Sequence, residues 1–176
     1  MTQHHLAGLL ALALALTGCG PTRPVAGRST PSPHGISVED RIAIADLIHR
    51  YSYTWDSRDA DGWVDLFTDD AVIQASFVGK LAWSYGSIAE RRAFINGFYE
   101  TMTKQGLMNT RHVQAATILS PNGDGSVDGQ TMFVVAFQYR GEPKPRITNT
   151  GIYRDRFVRT PAGWKFARRD ILVDQQ

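Results

Sequence analysis

The apolar period of this chain changes once, at Gly106, and that change restricts the fold more than any other feature. Before it, Ile44, Leu47, Ile48, Tyr51 and Trp55 recur every three or four residues, which is the signature of one buried helix face. After it, apolar and polar residues alternate in four segments, 110–119, 127–139, 146–158 and 164–173. Between them lie the turn sequences Pro121-Asn122-Gly123-Asp124-Gly125, Gly141-Glu142-Pro143 and Thr160-Pro161-Ala162-Gly163. Helices followed by strands, without βαβ alternation, predict an α+β fold. Long strands make a strongly twisted, mainly antiparallel sheet that can curl around helices on its concave side. The expectation is a cone with an internal pocket.

The helical half supplies the detail. Ser37 with Asp40 three residues on is a weak capping-box variant. Beside the apolar face, Ala45, His49, Ser52 and Asp56 form a second stripe, which puts Asp56 at the edge of the core. A short helix over 61–68 offers Trp63, Leu66 and Phe67, and 71–78 reads as a short strand. Ser87-Ile88-Ala89-Glu90 is a full capping box for a helix carrying Phe94, Ile95, Phe98 and Met102, with Gly106 as its stop.

Residues 1–36 stand apart. The run 6–16 is apolar, has the length of an export-signal core and is too short to span a bilayer. Leu16-Thr17-Gly18-Cys19 then resembles a bacterial lipobox, which implies cleavage after residue 18, lipidation of Cys19 and a cell-envelope location anchored to a membrane. The alternative is an ordinary secretory signal; for either, positions 1–5 lack the usual lysine or arginine. Cys19 is the only cysteine, so no intrachain disulfide can form. Pro21, Pro24, Pro31 and Pro33 among Gly, Ser and Thr make 19–36 a tether in composition. One domain remains, 37–174. Its basic residues are scattered and the chain's net charge is +2, which argues against a nucleic-acid partner.

Tyr51-x-x-x-Trp55-Asp56-x-x-Asp59-x-Asp61-x-Trp63, Leu66-Phe67-Thr68-x-Asp70-Ala71, Arg111-His112, Gly151-x-Tyr153, Gly163-Trp164-Lys165 and Arg168-Arg169 together resemble the SnoaL-like group of the nuclear transport factor 2-like superfamily. The resemblance spans essentially all of 37–173 and implies the α+β cone already read from the periods, together with pairing of two copies through the sheet face. In part the chain also resembles the scytalone dehydratases: Asp56, His112 and Asn149 fall on their catalytic positions. Trp55, Phe137, Ile147 and Ala75 replace their remaining polar groups.

An aspartate accepting from one imidazole nitrogen fixes the tautomer, leaving the other nitrogen to take or return a proton near neutral pH. Asp56 and His112 are thus the candidate acid/base dyad, and Asn149 the candidate to orient a ligand oxygen or stabilise an enolate. Tyr51, Trp55, Phe137 and Tyr153 are candidate pocket walls. No cofactor is expected. Of the five histidines, His4 and His5 precede Cys19, and the remaining His34, His49 and His112 are too few for a histidine-rich zinc site. Two functions remain open: a lyase or isomerase acting on a small apolar cyclic molecule, and a non-catalytic module holding a hydrophobic ligand or a partner protein. In a structural reading of the same residues, Asp56 pairs with Arg58 or caps a segment, His112 is a satisfied core histidine, and Asn149 bonds across strands. Arg168 and Arg169 read as strand residues, at least one of them solvated.

Overall fold

A computed structural model describes residues 35–174. Three helices, α1 (Val38–Asp56), α2 (Ala60–Asp65) and α3 (Ile88–Lys104), are combined with six strands, β1 (Phe67–Phe77), β2 (Lys80–Tyr85), β3 (Leu107–Pro121), β4 (Val127–Tyr139), β5 (Arg146–Thr160) and β6 (Gly163–Val173). The strands form one sheet in the order β2-β1-β6-β5-β4-β3. Every pairing is antiparallel except β1 with β6, which is parallel. The expected α+β cone is therefore present, with a mixed sheet.

Two local readings are corrected. The second helix ends at Asp65, and Phe67 and Thr68 already belong to β1, because Leu66 accepts from Phe166 of β6 and the ladder starts there. A hairpin strand, β2, follows where none was expected; its sequence Lys80-Leu-Ala-Trp-Ser-Tyr85 is too short and too exposed to show a clear alternation. The predicted caps are in place. Ser37 Oγ accepts from the Asp40 amide at 3.0 Å, and Ser87 with Glu90 completes a reciprocal box. Gly106, at φ +83°, closes α3 in a conformation that side chains disfavour.

The buried face of α1 is the one read from the sequence, Ile44, Leu47, Ile48, Tyr51 and Trp55. It packs with Trp63, Phe67, Phe133, Tyr153, Phe157 and Phe166 in a core rich in aromatic rings. Within that core lies an ion pair. Arg169 and Asp155 side chains are both 0% exposed, joined at 2.7 and 2.9 Å. The guanidinium also sits 4.0 Å from the Tyr51 ring centroid and 4.1 Å from that of Tyr153. Burial opposes its charge, but Asp155 more than offsets this and raises the Arg169 pKa. Arg168, its neighbour, points to solvent, as alternation on a strand requires.

Candidate active site

The site is built where α1 lies along β3. Four residues along a helix advance about 6 Å and two along a strand about 6.6 Å, so stripes of these periods can match rung for rung. Here α1 and β3 run in opposite directions, with Gln114 of β3 meeting Ile48 and Ser52 of α1, and Thr110 and His112 meeting Asp56. Gln114 Nε2 donates to the Ile48 carbonyl and to Ser52 Oγ, both at 2.8 Å. Thr110 Oγ1 donates to Asp56 Oδ1 at 2.7 Å, and the His112 backbone amide donates to Oδ2 at 2.9 Å. His112 Nδ1 lies 2.7 Å from Asp56 Oδ1. The sequence stripe thus brings Asp56 and His112 into direct contact, with side chains 12% and 7% exposed.

Burial by itself would raise the Asp56 carboxyl. The hydrogen bonds from His112 and Thr110 and the His112 charge outweigh it and hold the carboxyl below its ordinary range. With Asp56 ionised, Nδ1–H donates, and Nε2 is the nitrogen left for chemistry. His112 borders two spaces. Its ring lines a cone cavity of about 180 Å³ together with Tyr51, Trp55, Phe133, Phe137, Tyr153 and Asn149. It also lines an outer groove of about 330 Å³ with Asp56, Ser52, His49 and Arg111. Asp56 itself borders the groove and not the cone, so the carboxylate reaches the cavity only through the imidazole.

Asn149 belongs to the same row. His112 pairs with Val135 of β4, and Val135 pairs with Asn149 of β5, so the two polar residues share the concave face two strands apart, roughly 10 Å between backbones. Among the described residues the side-chain amide of Asn149 makes no hydrogen bond within the protein. All four expected wall residues, Tyr51, Trp55, Phe137 and Tyr153, line the cavity. Ala75, Phe77, Trp83, Phe94 and Phe98 complete much of its apolar wall. Among the described residues, no group of three or more His, Cys, Asp or Glu is placed to hold a metal ion.

Two supporting roles escaped the sequence reading, those of Arg58 and Gln114. Arg58 does not pair with Asp56. It adopts φ +61° just past α1 and donates to Thr103 Oγ1 at 2.7 Å and to the Leu107 carbonyl at 2.9 Å. This ties the end of α1, and hence Asp56, to the start of β3. Gln114 accepts from Arg169 Nη2 at 3.3 Å, joining the dyad strand to the buried ion pair beneath the cavity floor. Only the Gln114 position, two residues from His112 on a strand, carried a sequence signal.

The sequence profile of the SnoaL-like domain matches residues 37–170. The chain belongs to this family. No curated protein sequence matches it significantly. Among solved structures, this SnoaL-like domain is similar to ActVI-ORFA from Streptomyces coelicolor, with a TM-score of 0.66 at 19% identity over 76% of this chain and 96% of that one. A nuclear transport factor 2-like protein with a cystatin-like fold from Novosphingobium aromaticivorans gives 0.64 at 27% identity, covering 77% and 82%. A candidate scytalone dehydratase from the same organism gives 0.63 at 18%, covering 77% and 85%. The first and last are likenesses of fold alone.

Proposed function

We propose that this SnoaL-like domain is a cofactor-independent lyase or isomerase acting on a small, mostly apolar cyclic molecule. One observation carries the reading: His112 is held by Asp56 at 2.7 Å and borders an aromatic cavity in the same row as Asn149. Nε2 of His112 takes a proton from carbon next to a ligand carbonyl, or returns one to a departing hydroxyl. Asn149 donates to the oxygen on which charge develops. The likeness to a candidate scytalone dehydratase supports a dehydration or isomerisation of a ring compound. Screening cyclic ketones and hydroxylated ring compounds by thermal shift identifies ligands, since binding to the folded state raises its melting temperature. Turnover of a ligand so found is expected to vanish in His112→Ala and Asp56→Asn while the domain stays folded; full activity in either variant refutes the dyad.

A non-catalytic binding module is the second reading, and the predominance of aromatic side chains around His112 and Asn149 favours it. Ligand binding without turnover, unchanged in His112→Ala, would establish it. We also propose that the chain is exported and lipidated at Cys19, with 19–36 as tether; these segments lie largely outside the described residues, and mass spectrometry of the mature N-terminus tests them. Pairing of two copies through the convex sheet face is supported by the exposed Val113, Met132 and Ile147. Sedimentation that finds only monomers at micromolar concentration would remove it.

A further inference from the structure

We propose that the open rim of the cone docks on an anionic lipid surface through the tip of the β1–β2 hairpin. The strand register gathers several strand ends at one end of the sheet. Phe77 pairs with Lys80 and Val173, Val173 with Gly151, and Phe137 with Arg146. The cavity is lined as far as Phe77, Phe137 and Val173, so it opens at this end. Around the opening, apolar side chains of the hairpin face solvent: Val78 is 55% exposed and Leu81 61%.

Val78 is the most telling of these. It has φ +52° and is followed by Gly79 at φ +73°, a pair of left-handed residues that asparagine and glycine normally supply in hairpin turns. A β-branched residue is strained there, and this one gains no burial in return. Neither local folding nor core packing accounts for valine at the tip.

Charge completes the pattern. Lys80 lies on the same tip, and Arg140 and Lys144 are exposed on the β4–β5 turn at the same end, where Arg146 and Glu142 offset each other. The acids nearby are engaged: Glu142 lies 3.4 Å from Arg146 and accepts from the Tyr139 amide, and Asp174 accepts from Thr150. Apolar tips flanked by cations gain both from shallow insertion and from attraction to anionic headgroups. The other end of the sheet is where the chain enters, with Gly35 beside Pro121. From Cys19 to Gly35 the backbone can reach at most roughly 55 Å. A strand as long as β3 spans about 50 Å. An anchor at Cys19 therefore leaves the rim able to meet the same surface. Docked in this way, the cavity would open onto the phase in which an apolar ring compound is most soluble, an advantage that rests on the function proposed above.

Every described helix and strand lies beyond residue 37, so the chain from residue 19 onward, carrying Cys19→Ser, isolates the rim from any lipid or signal segment. It is expected to float with vesicles of phosphatidylglycerol and phosphatidylcholine and not with phosphatidylcholine alone. Val78→Asn with Leu81→Ser should cut flotation about tenfold, as loss of buried apolar area requires. The melting temperature of that variant should hold or rise, because asparagine tolerates the left-handed turn. Lys80→Glu with Lys144→Glu should abolish the preference for anionic vesicles. Flotation of the Val78 and Leu81 variant equal to the parent overturns the proposal, as does a parent that never floats. A parent that stays in solution but is stabilised by ring compounds overturns docking and leaves the cavity reading intact; flotation without any ring-compound binding does the reverse.

Discussion

Replacing Arg169 by methionine removes a guanidinium that is wholly buried and leaves Asp155, also 0% exposed, without its partner. Methionine keeps much of the contact with the Tyr51, Tyr153 and Phe166 rings, which lie 4.0–4.3 Å from the guanidinium carbon. The loss is therefore mainly electrostatic. Breaking a buried pair from one side costs about 3–5 kcal/mol. At about 3 °C per kcal/mol for a domain of this size, the melting temperature should fall by roughly 10–15 °C.

The pH dependence gives the argument a second handle. Burial pushes the Asp155 carboxyl up, and Arg169 is what opposes that. In Arg169→Met burial and the Asp170 charge act unopposed, so the folded-state pKa rises further above the unfolded value. A group with a raised folded pKa stabilises most at low pH and loses that contribution as pH climbs. The deficit of the variant relative to wild type should thus shrink from pH 7 to pH 5, read by urea melts at each pH. Adding Asp155→Leu should restore most of the loss, since apolar replacement of a buried pair is often neutral. A single variant within about 1 kcal/mol of wild type, or a double variant as unstable as the single, refutes the reasoning.

Gly151→Ala drives a Cβ into the Leu172 carbonyl oxygen and to 2.8 Å from the Phe133 ring, so backbone must shift; a loss of about 2 kcal/mol or more in chemical denaturation is expected. Val135→Phe puts a ring between His112 and Asn149 in their shared row and should abolish the thermal shift by any ring compound that stabilises wild type. Asp56 titrates in the folded state below its ordinary value of 3.8, so it adds stability above that pH and loses it as pH falls through the lower folded value. Wild type should therefore lose stability relative to Asp56→Asn below about pH 4, measured by melts across pH 2–5.

The architecture was legible because its signals are local. The helical face of α1, the Ser87 box and the alternation of β3 to β6 depend on periods that neighbouring residues impose. The parallel joining of β1 to β6 was not legible, since it links Phe67 to Phe166 across the chain and no local period encodes partner choice. Arg169 looked like any strand arginine because its burial depends on Asp155, fourteen residues away on another strand. Arg58 in a left-handed turn violates the usual preference for glycine and is held by Thr103 and Leu107, contacts available only after folding. Asp56 with His112 was visible as a pair only through the family resemblance. Its matching of helix and strand periods can be recognised in the sequence only once β3 is known to lie on α1.

Asp56 has two separable roles, and Asp56→Asn with Asp56→Ala can divide them. β3 is an edge strand, whose alternate amides point away from its single neighbour, and Oδ2 takes the one at His112. The amide oxygen of asparagine can accept that bond as well as a carboxylate can. Its –NH₂ then occupies the place of Oδ1, which in wild type accepts from Nδ1–H. A donor facing Nδ1 selects the opposite tautomer, with the proton on Nε2, so the nitrogen toward the cavity ceases to be a base. Alanine loses the edge contact too. Asp56→Asn is thus expected to stay within about 1 kcal/mol of wild type near pH 7, while Asp56→Ala loses about 2–3 kcal/mol through the unsatisfied Thr110, His112 amide and ring donors. Nitrogen-15 shifts of His112 should show Nδ1–H in wild type and Nε2–H in Asp56→Asn. Nδ1–H in both would mean that the carboxylate does not set the tautomer, and the dyad would reduce to a structural hydrogen bond.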